Sequence, residues 1–469
     1  MPLPPLAGGT TGPAHLRPLL ETVLQALTDG ATRRNGPLPA GGPDTTTRHT
    51  RTHTHPLLPD HGTGAHHALT RLVTALAEGA ADPAHPHCAA HLHTPPLALA
   101  AAADLAASAL NPSMDSWDQA PAAATLEADL TTTLAREIYP HTPTPDAVIT
   151  TGGTEANQLA LLLARERHGP TLTTLTGANA HHSIHRAAWL LGLPTPHTLP
   201  TPTGTLDPHT LEQALTHHPG PHLVTATAGT TDTGAIDPLD TIADLCAHHG
   251  ATLHIDAAYG GPVLLSPTHH HLLHGLHRAD TVTLDLHKLG WQPASAGLLA
   301  VPHTHHLTPL HHHAPYLNAD DDTEAGIPDL LGRSLRTTRR PDALKIAVTL
   351  QALGRDGLAD LIDRTLTAAH HLADHIHDTP GLDLYARPTL STVLFRPTHA
   401  DDHTVATLRR TLLDHGTAVL GRAHAAGRLW LKATLLNPHT TPTDLHTLID
   451  HVTRLSLPTT PLKEGNTPR

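Results

Sequence analysis

The sequence predicts an α/β protein whose core is a mostly parallel sheet covered by helices on both faces. Three observations predict it. Short β-prone runs at 147–150, 172–176, 222–227, 252–256, 281–285 and 296–301 alternate with helical stretches at 155–168, 182–191 and 238–249, the pattern of strands joined by helical crossovers. A glycine-rich turn, Thr151-Gly-Gly-Thr154, separates the first strand from its helix. Two other strands deliver opposite charges at their carboxyl ends, Asp256 and Lys288. In an open α/β sheet those ends border the ligand crevice, so all three features point to one place.

In chain order, Leu16, Leu19, Leu20, Val23, Leu24 and Leu27 form a helical stripe over 14–28. Residues 29–66, rich in Gly, Pro, Thr and His, read as irregular or mobile, and 67–79 as helical again. An Ala/Leu-rich helix covers 97–110, a loop 113–119, and a second helix 122–138 with Glu127 in its interior. After the strand–helix alternation, 302–338 reads as a long loop holding Tyr316 and Asp320 to Asp322. Helices are expected at 341–355 and 358–378. Strands at 384–385, 393–395 and 429–434 with helices at 403–415 and 442–454 then make a small α+β unit. The boundaries drawn are 1–84 for an N-terminal helical segment, 85–340 for the large unit, 341–457 for the small one and 458–469 for a loose tail.

Composition narrows the function. The 469 residues suffice for two or three subdomains. A formal net charge of −13 argues against nucleic acid as a partner. No run reaches the ~18 apolar residues of a membrane span, and the first residues lack a basic stretch before an apolar one, so neither a membrane nor secretion is expected. Cys88 and Cys246, the two cysteines, cannot form a disulfide framework, and a cytoplasmic location is the simple expectation. The 47 histidines are scattered through every segment without His-Glu-x-x-His or paired cysteine ligands. They read as compositional drift, and no metal is expected.

The chemistry centres on Thr281-Val-Thr-Leu-Asp-Leu-His-Lys288. Lys288 follows a buried strand and is walled by Leu286, Leu289 and Trp291. Desolvation there frees an amine to attack a carbonyl. Asp256 ends the strand of Ala251-Thr-Leu-His-Ile-Asp256. Gly153 and Thr154 open a helix, where backbone N–H groups, a hydroxyl and the helix dipole cradle a phosphate. A strand-end lysine, a strand-end aspartate and a phosphate cradle are what pyridoxal 5'-phosphate requires: an amine for its aldehyde, an anion for its ring nitrogen, and a phosphate site.

With these segments, the chain resembles the group II pyridoxal-phosphate-dependent amino-acid decarboxylases, relatives of the aromatic-amino-acid, glutamate and histidine enzymes. It looks nearest to the bacterial branch acting on 2,4-diaminobutyrate, lysine and similar substrates. The matching stretches are His91-Leu-His-Thr-Pro-Pro96, Asn111-Pro-Ser-Met-Asp-Ser-Trp-Asp-Gln119, Thr151-Gly-Gly-Thr-Glu-Ala-Asn157, Ala228-Gly-Thr-Thr231, His254-Ile-Asp-Ala-Ala-Tyr259, Asp285-Leu-His-Lys288, Thr337-Thr-Arg-Arg340 and Leu435-Leu-Asn-Pro438. The resemblance implies fold type I of the pyridoxal-phosphate enzymes, with a seven-stranded sheet and a homodimer clasped by the N-terminal helices, its active sites shared. It implies decarboxylation of an L-amino acid to its amine.

The resemblance also implies roles. Lys288 holds the cofactor, Asp256 keeps the ring nitrogen protonated, and His181 stacks on the ring, with His182 and His185 as close neighbours. Gly153 and Thr154 bind phosphate, with Asp285 and His287 at the same end, and Thr231 and Ala258 contact the ring. Asn often stands where Asp285 does; a carboxylate repels phosphate, so Asp285 is expected to orient a neighbouring donor. Thr94 lies where the substrate carboxylate is held. Asp115 and Trp117 lie where the partner subunit lines the side-chain pocket, with Asp118 second to Asp115. A carboxylate at Asp115 suits a distal ammonium group and hence 2,4-diaminobutyrate, ornithine or lysine. One departure stands out: no tyrosine or histidine lies between Gly326 and Arg340, where aromatic decarboxylases carry a proton-donating tyrosine. Tyr316, His181 or another group then takes that role, or the reaction departs from simple decarboxylation toward that of an oxidative aldehyde synthase; an aromatic amino-acid decarboxylase or an aminotransferase on the same fold is the separate alternative.

Overall fold

The structure, a computed structural model, describes residues 3–314 and 316–456; the tail expected from residue 458 lies outside the described residues. Three helices come first, α1 (Gly12–Arg34), α2 (Gly42–Thr54) and α3 (Ala65–Glu78). α1 and α3 pack closely because Gly30 carries no side chain: a Cβ there would stand 2.6 Å from Ala77 Cβ and from the Thr74 carbonyl oxygen. The irregular stretch expected over 29–66 is corrected. α1 runs on to Arg34 and ends at Asn35 in a left-handed conformation, and α2 occupies much of the remainder. α2 buries no residue, so no apolar stripe marks it. Its signals are terminal instead: a proline and Asp44 in the first turn, Arg51 and His53 in the last.

The short strand β1 (Cys88–Ala89) and the helices α4 (Ala98–Leu110) and α5 (Pro121–Ile138) lead into the main sheet. Its strands and covering helices are β2 (Asp146–Thr150), α6 (Gly153–His168), β3 (Thr173–Gly177), α7 (Ser183–Leu190), β4 (His197–Leu199), α8 (Pro208–His217), β5 (His222–Thr227), α9 (Leu239–His249), β6 (Thr252–Ala257), β7 (Thr281–Asp285) and β8 (Gly297–Val301). The order across the sheet is β2-β8-β7-β6-β5-β3-β4, with only β8 antiparallel to its neighbours. Every residue of β2, β3, β5, β6, β7 and β8 is buried, so these read as continuous β-prone runs. The sequence reading missed β4 and α8. β4 is an edge strand with one buried residue, Leu199. α8 begins at a capped proline turn, Asp207 accepting from the Thr210 N–H at 2.9 Å.

The register brings the strand ends level. Thr227 of β5 pairs with Asp256 of β6, and Asp256 with Thr283 of β7.

Beyond β8 the loop expected over 302–338 carries helical turns at Thr304–Leu310 and Leu331–Arg333 and the short helix α10 (Asp320–Glu324). α11 (Ala343–Asp378) bends at Gly354, φ 62° and ψ −173°, which divides it into the two helices expected. The small sheet takes β9 (Leu382–Leu384), β10 (Thr392–Pro397), β11 (Val419–Ala425) and β12 (Arg428–Thr434), backed by α12 (Asp402–Asp414) and α13 (Pro442–Ser456). Its order is β1-β11-β12-β10-β9. Cys88–Ala89, expected in the large unit, pair in parallel with Val419 and Leu420 at this sheet's edge. The two sheets are tied at the lysine turn, where Trp291, fully buried, donates from Nε1 to the Leu436 carbonyl at 2.8 Å.

Candidate active site

Lys288, Asp256 and the start of α6 converge on one cavity of about 300 Å³ at the carboxyl ends of β5, β6 and β7. Parallel strands make this convergence, because each ends at the same edge of the sheet. β7 ends on Asp285 and the chain turns immediately, which swings Lys288 back under its own strand end: Nζ lies 3.0 Å from Asp285 Oδ2. His287 Nε2 lies 3.5 Å from the same oxygen. The Ala296 N–H donates to His287 Nδ1 at 3.3 Å, so the ring's single proton sits on Nε2. Burial lowers the His287 pKa and keeps it neutral.

The glycines shape the cradle. Gly152 has φ 153°, and a Cβ there would come within 2.8 Å of the His287 ring. A Cβ on Gly153 would meet Ala258 Cβ at 2.9 Å. α6 therefore opens onto the cavity with no side chain capping its first N–H groups. These features fit pyridoxal phosphate: uncapped helix donors for the phosphate, Ala258 and Thr231 along the wall, a lysine amine at the turn, and a buried oxygen, Asp285 Oδ1, without a partner among the described residues.

Asp256 is held from two sides. Oδ1 accepts from the Ala258 N–H at 3.1 Å and Oδ2 from Asn157 Nδ2 at 2.7 Å. Asn157 also donates to Ser183 Oγ at 2.8 Å, and its Oδ1 accepts from Thr283 Oγ1 at 2.8 Å and faces His254 Nε2 at 3.0 Å. All four of its hydrogen-bonding positions are used. His254 is fully buried and its pKa falls to about 4, chiefly through desolvation. It is a neutral ring, with a proton on Nε2 for Asn157 and Nδ1 facing Thr281 Oγ1 at 2.9 Å.

Ser183 extends this network to His181, whose Nδ1 lies 2.8 Å from Ser183 Oγ and 3.4 Å from the Ser183 N–H. With Nδ1 accepting, His181 carries its proton on Nε2. Burial is the first cause lowering its pKa. Of the three neighbouring histidines, His181 lines the cavity; His182 is exposed and His185 faces Thr198.

No role was expected for Asn157, His254 or Ser183. Two spacings could have found the first two. His254 precedes Asp256 by two on one pleat face, and Asn157 follows Gly153 by one helical turn.

The residues expected at the substrate end are not gathered in this chain's cavity. Leu92 lines it, whereas Thr94 is buried nearby with Oγ1 unpartnered. Asp115 is buried and accepts from Gln119 Nε2 at 2.9 Å; Ser116 Oγ donates to Asp118 at 2.6 Å; Trp117 is partly exposed. None of these lines the Lys288 cavity of its own chain. Tyr316 is 82% exposed and stands outside it as well. The Arg-Arg pair is structural in its contacts: Arg339 is buried against Glu127 at 2.6 Å, and Arg340 pairs with Asp104 at 2.9 Å. A cation that the sequence reading missed is Lys432, buried on β12, whose Nζ donates to the Thr231 carbonyl at 2.9 Å. Burial lowers its pKa.

Residues 49–398 match the family model described as the pyridoxal-dependent decarboxylase conserved domain. The chain is 41% identical over 412 residues to an L-2,4-diaminobutyrate decarboxylase of Rhizobium meliloti, covering 84% of this chain and 83% of the relative. It is 32% identical over 428 residues to one of Acinetobacter baumannii, covering 83% and 84%. Among solved structures it is similar to the glutamate decarboxylase domain of diaminobutyrate-pyruvate transaminase and L-2,4-diaminobutyrate decarboxylase from Vibrio parahaemolyticus. The TM-score is 0.85 and the identity 32%, over 96% of this chain and 97% of that one.

Proposed function

The chain belongs to the pyridoxal-dependent decarboxylase family and is a pyridoxal-phosphate-dependent amino-acid decarboxylase; from that premise we propose that its substrate is a diamino acid, first among them L-2,4-diaminobutyrate. The observation that carries the proposal is the 41% identity to a diaminobutyrate decarboxylase across more than four-fifths of both chains.

Bound in the cavity, pyridoxal phosphate supplies the electron sink that lets CO₂ leave without its bonding pair. The chain's residues do the rest. The Lys288 amine would hold the cofactor's aldehyde end. The Gly153 and Thr154 N–H groups and the Thr154 hydroxyl hold phosphate at the α6 N-terminus, with Asp285 and His287 beside it. Ala258 packs against the ring and the Thr231 hydroxyl faces its edge. Asp256, oriented by Asn157, keeps a proton on the ring nitrogen; an anion fixed in a closed site favours the charged form. His181, whose Nε2 carries the proton, would stack on the ring and is the candidate within this chain's cavity for returning a proton to Cα, with Tyr316 the other candidate. Thr94 is the proposed contact for the substrate carboxylate.

Dimerisation completes the proposal. Leu24 and Leu27 of α1 and Leu72 and Leu76 of α3 are exposed, an apolar face suited to a second copy. Asp115 and Trp117 then serve the partner's cavity, where the Asp115 carboxylate meets the distal ammonium. The test is a panel of L-amino acids with products identified by mass. Diaminobutyrate is expected to give 1,3-diaminopropane and CO₂ at the highest kcat/KM, and a preference for glutamate or an aromatic amino acid would overturn the proposal.

A further inference from the structure

We propose that Lys432 is a positioning residue for the cofactor: reaching across from the small unit, its amine fixes the tip of the turn 229–235 and so sets the Thr231 hydroxyl at the ring. This rests on the placement of Thr231 at the ring's edge made above. Lys432 Nζ donates to the Thr231 carbonyl at 2.9 Å and lies 3.7 Å from Asp232 Oδ1. Lys432 is 5% exposed and does not line the Lys288 cavity, whereas Thr231 does. The lysine therefore acts through the residue it holds.

The turn is tied at its base and held at its tip by one contact. At the base, the Gly229 and Thr230 N–H groups donate to the Ala235 carbonyl at 3.0 and 2.8 Å, and the Gly234 N–H donates to the Thr230 carbonyl at 2.8 Å. Gly229 has φ 103°, and a Cβ there would come within 2.9 Å of Leu390 Cδ1, so the small unit packs directly on the base. The Thr230 and Thr233 hydroxyls face each other at 2.8 Å. Thr231 and Asp232 form the tip, and both are exposed. Among the described residues, the recorded donor to the Thr231 carbonyl is Lys432.

The lysine is itself well anchored. β12 lies between β11 and β10, and Lys432 pairs with Gly421 on one side and Leu394 on the other. Gly421 leaves the room its stem needs: a Cβ there would stand 3.0 Å from Lys432 Cε. Burial is the first cause lowering the Lys432 pKa, and Asp232 opposes it. Charged or neutral, the amine keeps an N–H for the carbonyl. An exposed tip without this contact samples several positions. Ordering it in advance removes that entropy cost from cofactor binding.

The test reads the cofactor on the full-length protein. Lys432→Met is expected to weaken pyridoxal phosphate binding by about 2- to 10-fold, the loss of one hydrogen bond, and to shift the pH midpoint of the cofactor's visible absorption. Thr231→Val is expected to do the same to the same extent. The double variant should do no more than either single one, because both remove one contact. Lys432→Arg, which keeps a donor for the carbonyl, should stay near wild type. In the apoprotein, Lys432→Met should speed hydrogen exchange over 229–235 while β10 and β12 exchange as in wild type. Lys432→Gln, with a shorter donor, is a milder second variant expected to change in the same direction should Lys432→Met not fold. Additive effects in the double variant, or wild-type absorption and cofactor affinity in a folded Lys432→Met or Lys432→Gln, would overturn the inference. So would a raised KM with an unchanged cofactor spectrum, which would put the Lys432 amine on the substrate itself. Failure of wild type to bind the cofactor at all would instead overturn the site assignment, and this inference with it.

Discussion

Asn157 Nδ2 donates to Asp256 Oδ2 at 2.7 Å, deep beneath the cavity where both residues are buried. One amide thereby fixes the carboxylate proposed to face the ring nitrogen and, through Ser183, the tautomer of His181. Asp256→Asn is expected to cost about 10²–10³ in kcat, the usual loss when a charge-stabilising group leaves a closed site, with cofactor affinity changed far less because phosphate and ring contacts remain. Asn157→Ala leaves Asp256, His254 and Thr283 short of partners. A destabilisation of about 1–3 kcal/mol for each buried group left unsatisfied is the relevant scale. Thermal unfolding and kcat measured together check it: a variant with wild-type stability and wild-type kcat would show that the amide holds nothing.

His254 makes stability depend on pH. Its folded pKa is lowered to about 4, from 6.5. The unfolded chain therefore binds a proton that the folded chain refuses as pH falls between those values, and stability drops as pH falls through that window. At about 1.4 kcal/mol per unit the drop is on the order of 3 kcal/mol. Half-buried His181 and His287, lowered in the same direction, add to it. Urea unfolding at about pH 7.5 and about pH 4.5 should show this loss, and His254→Gln should reduce it; an identical pH slope in the variant would mean that His254 is protonated in the folded state.

The strand ends were legible in the sequence because β5, β6 and β7 are buried on both faces and read as unbroken β-prone runs. Lys288, Asp256 and the Gly152–Gly153 turn were legible for a related reason: each needs a particular residue at a particular chain break. The network beneath them was not, since hydrogen bonds between residues 97 and 126 positions apart, such as Asn157 with His254 and with Thr283, leave no local signal. β11 escaped notice because Gly421, Arg422 and His424 break its apolar pattern. α2 did so because threonine and histidine dominate it.

Asp115 and Trp117 lie outside the cavity of their own chain, which fits an origin of the substrate lining in the partner subunit. Inactive Lys288→Ala chains mixed with inactive Asp115→Ala chains should then recover activity, up to about a quarter of wild type if half the dimers are mixed and each carries one intact site. No recovery in a mixture proven to contain heterodimers would place the whole site within one chain.

Substrate charge is the last expected outcome. The Asp115 carboxylate is buried, and among the described residues its recorded side-chain partner is the neutral amide of Gln119. A buried carboxylate with no cation is costly, and a distal ammonium from a diamino acid would satisfy it. A hydrogen bond to a charged group is worth about 1.5–3 kcal/mol, roughly 10- to 150-fold in specificity at about 1.4 kcal/mol per decade. Wild type should therefore favour 2,4-diaminobutyrate over its uncharged analogue 2-aminobutyrate by at least that factor in kcat/KM. Asp115→Asn should close most of the gap, chiefly by slowing the diamino acid, while the rate with 2-aminobutyrate stays within a few-fold. An unchanged ratio in the variant would mean that Asp115 serves only to order its own loop through Gln119, and that the ammonium is recognised elsewhere in the cavity.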